Sequence, residues 1–309
     1  MINNFQELVS FAATLPVKQV VVIFPRSEEI FLAVKHARDM RVASFLLVGE
    51  EGDICEGLNR VHADEDGISA IHVKNVDEAL RQSIAAVREG RADILMKGSV
   101  DTSTMMKAVL EQEAGIRTGR ILSDIFILEY PERRPNKFIM ITDGGMTLAP
   151  DLKNKIELIN NAVEVAHALG NPTPKVAVLS ATEFVLPNLQ STLDAAALAK
   201  MNERGQIPGC VVDGPFALDS AISPESVEEK RLASQVAGKA EILIAANIES
   251  ANSLAKSTTY FAGLPLAHVI VGGRVPVLIP SRADKAEARL HSIALGVIMS
   301  EYMRKKETE

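Results

Sequence analysis

Lys97 closes a short apolar run, Asp93–Met96, and is followed by Gly98 and then by Ser99, Asp101, Thr102, Ser103 and Thr104. A lysine at a strand end, leading through glycine and small hydroxyl residues into a helix, suits an anion. The first helical amides lack acceptors within the helix, the dipole there is positive, and the ammonium adds a point charge. Asp101 or Thr102 acting as an ordinary N-cap explains the hydroxyls but not the lysine. The helix is expected to run through Glu113. GxxxxGK[ST] is absent, so this is not a Walker A loop.

A second junction, Val277-Leu278-Ile279-Pro280-Ser281-Arg282-Ala283-Asp284, precedes a long helix expected to reach about Tyr302, with Leu290, Ile293, Val297 and Ile298 as its buried stripe. Ser281 with Asp284 three residues on resembles a capping box, although Glu or Gln is the usual partner. Arg282 then falls on the first helical position, where its charge opposes the dipole unless an anion shares the site. A third junction, Asp213-Gly214-Pro215-Phe216-Ala217-Leu218-Asp219, reads as a strand entering a tight turn. Its two carboxylates could ligate a metal, but turn chemistry accounts for them as well. A fourth, Asn247-Ile248-Glu249-Ser250-Ala251-Asn252, leads strand into helix, and its polar side chains fit either capping or a cleft lining.

Other chemistries are missing. There is no GxSxG, HExxH or GxGxxG, and the six histidines show no metal spacing. The net charge is −7, and the short basic clusters Arg133-Arg134 and Arg304-Lys305-Lys306 sit among glutamates, which argues against a nucleic-acid partner. Two cysteines, Cys55 and Cys210, far apart and without CxxC, suit a reducing compartment and supply no zinc site. The first residues lack the basic start and cleavage site of a secretory signal, and no apolar run approaches the ~20 residues of a membrane span. The expectation is a cytoplasmic protein with no membrane partner.

These junctions need a scaffold. Short β-branched runs alternate with helical periods over the 309 residues, and several runs are apolar on both faces, as covered parallel strands are. Leu152, Ile156, Ile159, Val163 and Ala166 mark one helix, closed by Gly170 and Pro172. The fold class is therefore α/β, with helices covering parallel or mixed sheets, in two domains by length. The nearest thing to a seam is Gly115–Asn136, ending in the polar stretch Tyr130–Lys137; another boundary lies near Gly272-Gly273. In open α/β sheets, ligands collect beyond the carboxyl ends of strands, where all four junctions fall.

Taken together the junctions resemble the phosphate acetyltransferase/phosphate butyryltransferase family, the butyryl branch most closely. The residues carrying the likeness are Lys97-Gly98 with Asp101 to Lys107, Leu122-Ser123, Val176 to Ser180, Thr192 to Leu198, Asp213 to Ile222, Asn247-Ile248-Glu249 with Asn252 and Lys256, and Pro276 to Asp284. They run in order from about residue 90 to the C-terminus. The resemblance implies a two-domain subunit of the isocitrate/isopropylmalate dehydrogenase-like type. Residues 1–120 with 275–309 would form the first domain and residues 121–274 the second, with the active site in the cleft between. It also implies a homodimer or larger homo-oligomer pairing through the second domain.

The implied reaction is acyl-CoA plus phosphate giving acyl phosphate plus CoA, with a butyryl-like chain favoured. Acyl-CoA and phosphate are then the substrates, no cofactor is tightly bound, no metal is required, and an acyl kinase of the same pathway is a candidate partner. Phosphate is itself the nucleophile, so no enzyme ester is needed. Arg282 would neutralise phosphate and the developing oxyanion, and Ser281 would donate a hydrogen bond to the CoA sulfur or acyl oxygen. The acetyl branch places a catalytic Asp seven residues after the Ser; here that position is Ala288, and Asp284 is the nearest replacement. Lys107 stands where the acetyl branch has Arg, keeping charge but not the bidentate fork. Lys97, Gly98, Thr102 and Asn252 complete the expected substrate contacts, with Arg117 and Arg120 facing the CoA phosphates. The alternatives are an acetyl-specific enzyme, a metal- and NAD-dependent oxidoreductase using Asp213 and Asp219, and a non-catalytic CoA- or anion-binding protein.

Overall fold

A computed structural model describes residues 1–64, 66–130 and 138–308; the Arg133-Arg134 cluster and the polar stretch beyond Tyr130 lie outside the described residues. The chain divides into two compact units. The first comprises Phe5–Arg120 with Ala267–Glu309, and the second Met1–Asn4 with Ile121–Leu266.

The first unit opens with α1 (Phe5–Ala12), β1 (Lys18–Ile23), α2 (Glu28–Asp39), β2 (Ala43–Gly49), α3 (Glu51–Arg60), β3 (Ile68–His72), α4 (Val76–Arg88), β4 (Ile94–Lys97) and α5 (Thr102–Leu110). The second carries β5 (Ser123–Glu129), β6 (Phe138–Thr142), α6 (Leu152–Ala168), β7 (Lys175–Leu179), α7 (Gln190–Glu203), β8 (Val211–Phe216), α8 (Leu218–Ile222), α9 (Pro224–Lys230), β9 (Ile242–Ile244) and α10 (Ile248–Tyr260). The chain then returns with β10 (Leu266–Val271), β11 (Val277–Leu278) and α11 (Ala286–Thr308).

In the first unit the strands run β3-β2-β1-β4-β11-β10. Neighbours are parallel except β10 and β11. Val20, Val21, Val22 and Ile23 of β1 are wholly buried, because helices cover both faces of a parallel strand. Each such side chain contributes roughly 1.5–3 kcal/mol of apolar burial. Helix α11 carries the expected stripe of Leu290, Ile293, Val297 and Ile298, but every residue from Arg289 to Glu301 is buried. A helix enclosed on all sides has no polar face for periodicity to reveal. It extends to Thr308, past Tyr302, where Lys305 and Lys306 complement the negative end of its dipole. Near that end Glu301 accepts from Lys18 at 2.9 Å and Arg304 at 2.7 Å, so its buried charge is paired.

In the second unit the order is β5-β6-β9-β7-β8, with β5 and β6 antiparallel and the rest parallel. Strand β5 occupies the segment whose sequence suggests a seam. Ile125-Phe126-Ile127-Leu128 is an unbroken apolar run and is entirely buried, the signature of a covered strand. The expected turn at Asp213-Gly214-Pro215 is instead the continuation of β8. The Gly214–Pro215 peptide is cis, and the register with β7 shifts to pair Leu179 with Phe216. Helix α6 begins with a capping box between Asp151 and Asn154 and closes at Gly170, whose φ is +84°. No helix among the described residues is long and apolar enough to cross a membrane.

A candidate anion-binding site

Strands β4 and β11 are parallel neighbours, Leu95 beside Val277 and Met96 beside Leu278. Their chains therefore leave the sheet at the same carboxyl edge, one into Lys97-Gly98 and the other into Pro280-Ser281-Arg282. Sheet register, not sequence proximity, brings the first two junctions together.

Lys97 is 6% exposed, and its ammonium donates to Thr102 Oγ1 at 3.2 Å. Among the described residues no carboxylate lies within ion-pair distance of it. Burial holds its pKa below the ordinary lysine range; Arg282 and Arg289 push it further down, while Asp284 and Asp101 partly oppose them. A buried ammonium beside two guanidinium groups leaves local positive charge that an anion can offset.

Gly98 serves through its missing side chain. Its amide and that of Ser99 donate to Ile23 and Phe24 carbonyls, each at 2.9 Å, and a Cβ on Gly98 would lie 2.1 Å from the Ile23 oxygen. These two amides are thus occupied, and the anion-seeking groups of this loop are Lys97 and the start of α5. Asp101 precedes α5 without capping it; its carboxylate instead takes a hydrogen bond from Arg282 at 2.7 Å. Helix α5 stops at Leu110, short of Glu113, because Glu111 turns extended and its carboxylate accepts from Ala114 N at 2.6 Å.

Arg282 is not a first-turn residue. The Ser281 N–H donates to Asp284 Oδ2 at 2.7 Å and the Asp284 N–H to the Ser281 carbonyl at 3.2 Å, closing a turn before α11 starts at Ala286. The acid of the suspected capping box does reach back to Ser281, but the helix is capped by Glu29 of α2, which accepts from Ala286 N at 2.6 Å. That backbone bond is the main reason the Glu29 carboxyl sits below its usual range, with Lys285 adding to it. Arg282 is thereby freed from the dipole and lies in the open, 85% exposed.

Sequence reasoning passed over two residues here, Glu29 and Arg289. Arg289 is 3% exposed, with Nη2 donating to the Ser281 carbonyl at 2.8 Å and Nε to that of Asp284 at 3.2 Å. The signal was available, because Arg289 is the only Lys or Arg between Ala286 and Met303.

Lys107, Arg117 and Arg120 are exposed. The segment bearing the two arginines is tied down by Thr118 Oγ1 donating to the Gly272 carbonyl at 2.6 Å and Arg274 N to that of Ile116 at 3.0 Å. Asn252 belongs to the second unit, where its amide donates to the Gly144 carbonyl at 2.8 Å; the neighbouring Asn247 and Ser250 form a capping box. That glycine loop is organised by Asp143, whose carboxylate accepts from the amides of Asp124, Gly145, Met146 and Thr147 at 2.9–3.1 Å. Burial, aided by nearby Asp124, pushes the Asp143 carboxyl up to about 6 despite those bonds. Asp213 accepts from the Ser234 hydroxyl, and Asp219 pairs with Lys230 at 2.8 Å, so both third-junction carboxylates have protein partners. Among the described residues no three His, Cys, Asp or Glu gather as a metal site.

The profile of the family described as phosphate acetyl/butaryl transferase matches residues 65–297. The phosphate butyryltransferase of Clostridium beijerinckii is 40% identical over 300 residues, covering 97% of this chain and 99% of that protein. The phosphate acetyltransferase of Thermotoga maritima is 40% identical over 284 residues, covering 92% and 95%. The crystal structure of a branched-chain phosphotransacylase from Enterococcus faecalis superposes with a TM-score of 0.80 at 30% identity, over 92% of this chain and 99% of that one. The chain belongs to the phosphate acetyl/butaryl transferase family.

Proposed function

We propose that this enzyme moves a short acyl group between CoA and inorganic phosphate, with a butyryl-like chain preferred. One observation carries the reading: Lys97 is buried beside Arg282 and Arg289 without a carboxylate in contact among the described residues. In the reaction a phosphate oxygen attacks the thioester carbonyl, the carbonyl oxygen takes up the charge, and the C–S bond breaks to release CoA thiolate. Arg282 exchanges Asp101 for phosphate, its planar fork matching two oxygens. Lys97 neutralises the same anion from below. Ser281 Oγ, which has no partner among the described residues, donates to the acyl oxygen or the sulfur. Asp284 manages the proton through Oδ1, its other oxygen being held by Ser281 N. Thr102 orients Lys97, Gly98 permits the loop, and Lys107, Arg117 and Arg120 receive the CoA phosphates. Asn252 acts by holding the Gly144 loop.

The same reading places the protein in the cytoplasm, as a homodimer or larger assembly supplying an acyl kinase, with an isocitrate/isopropylmalate dehydrogenase-like architecture. The acetyl alternative keeps support from the 40% identity to the Thermotoga enzyme. Coenzyme A release followed with a thiol dye, with and without orthophosphate, tests the proposal across acetyl-, propionyl-, butyryl- and branched acyl-CoA. Phosphate-dependent release fastest with butyryl-CoA is expected; equal release without phosphate, or a trapped acyl-protein, would overturn it.

A further inference from the structure

We infer that Arg289 is a positioning residue for acyl transfer, clamping the turn that presents Ser281 and Arg282. The inference rests on the proposed reaction. Its grounds are geometric: one buried guanidinium donates to the carbonyls at both ends of that turn, at 2.8 and 3.2 Å. The turn has a hydrogen bond of its own, Asp284 N to the Ser281 carbonyl at 3.2 Å, so Arg289 Nη2 is a second donor to the same oxygen. Arg289 stands on the part of α11 that is buried from Arg289 to Glu301, a rigid base, whereas Arg282 is exposed and among the described residues has only the exposed Asp101 as partner.

Arg289 contacts only main-chain oxygens in this turn, so its role is not substrate binding. It sets where the Ser281 hydroxyl and the Arg282 backbone stand relative to Lys97, which is fixed on the neighbouring strand. Among the described residues it has no carboxylate partner within ion-pair distance. Its charge therefore adds to that of Lys97, whose ammonium it makes harder to keep protonated. Lysine cannot replace it fully, because a single ammonium lacks the fork that spans two carbonyls.

The test compares wild type, Arg289→Lys and Arg289→Met in steady state with acyl-CoA and phosphate, alongside circular dichroism and melting. Displacement of a catalytic turn by about 1 Å can cost ~100-fold. Arg289→Met is expected to lose about that factor in kcat, with KM for acyl-CoA little changed and KM for phosphate raised. Arg289→Lys should fold like wild type and fall between the two. If Arg289→Met does not fold, Arg289→Lys decides: reduced kcat in a fully folded protein supports the clamp. Wild-type kcat in Arg289→Lys and in any folded Arg289→Met overturns the inference while leaving the proposed function standing. A loss of rate that only tracks the fraction unfolded also overturns it. A wild-type protein that shows no phosphate-dependent release defeats the proposed function, and the clamp with it.

Discussion

Arg282 donates to the carboxylate of Asp101 across 2.7 Å, although 181 positions separate them in the chain. Both side chains are open to water, 85% and 69% exposed, so the pair contributes no more than about 1 kcal/mol to stability. On the proposed reaction, so weak a partner is easily exchanged for phosphate. Arg282→Ala should therefore lower kcat/KM by a factor of roughly 100–1,000 while the melting temperature stays close to wild type. Unchanged turnover in that variant would remove Arg282 from the site.

On the proposed reaction, Lys97 should set the alkaline limit of activity. Its pKa is depressed in the folded state, mainly by burial, so the ammonium is lost at lower pH than in the unfolded chain. Between those two values the unfolded chain holds the extra proton, and this group's contribution to stability rises with pH. Anion affinity moves the other way, and KM for phosphate should climb on the alkaline side at lower pH than an ordinary lysine would titrate. Arg in place of Lys97 keeps the charge at all accessible pH and should flatten the climb. A pH profile shared by wild type and Lys97→Arg would place the titrating group elsewhere.

The carboxylates of the two junctions should separate kinetically. Asp284 closes the turn that carries Ser281, whereas Asp219 is exposed and paired with Lys230. Asp284→Asn is expected to slow CoA acylation by about 10- to 100-fold, and Asp219→Asn to leave the rate near wild type. The reverse order, measured with acyl phosphate and CoA, would reassign the base.

Acid stability should report on Glu301. Hydrogen bonds from Arg304 and then Lys18 hold its carboxyl down to about 2. A depressed acid stabilises the fold above its unfolded pKa, near 4.3, and loses that contribution as pH falls toward 2. Urea titrations of Glu301→Gln should show lower stability at pH 7 and a shallower decline between about pH 4 and 2. Parallel declines in the two proteins would exclude this pair as the source.

Asp143 carries the opposite sign. Its carboxyl is raised to about 6 in the folded protein, so between about pH 4 and 6 the folded state binds more protons than the unfolded one. Its contribution to stability therefore falls as pH rises through that window. Asp143→Asn should remove the slope and cost roughly 1–3 kcal/mol, because Thr147 N–H loses its charged acceptor. Calorimetry at several pH values distinguishes a flat profile from the sloping wild type.

The α/β alternation, most strands and helix α6 were legible in the residues, because a strand buried on both faces and a capped amphipathic helix leave local marks. Three features were misread for reasons of context. Strand β5 hides in a segment whose flanks look like linker. Asp213-Gly214-Pro215 carries turn residues yet continues β8 through a cis peptide. Arg282 reads as a helix start because Ser281 and Asp284 mimic a cap, while the cap itself is Glu29, more than 250 positions away.

What the residue order alone determined was the inventory: lysine and glycine after one strand, serine and arginine after another, and enough β-branched runs to build covered sheets. Those signals are local, set by backbone preference and charge over a few neighbours. The tertiary structure decided which of them meet. Parallel pairing of β4 with β11 puts Lys97 beside Ser281 and Arg282, burial takes away the lysine's water, and α11 brings Arg289 under the turn. None of this is written in spacing, because burial and long-range register belong to the packed chain.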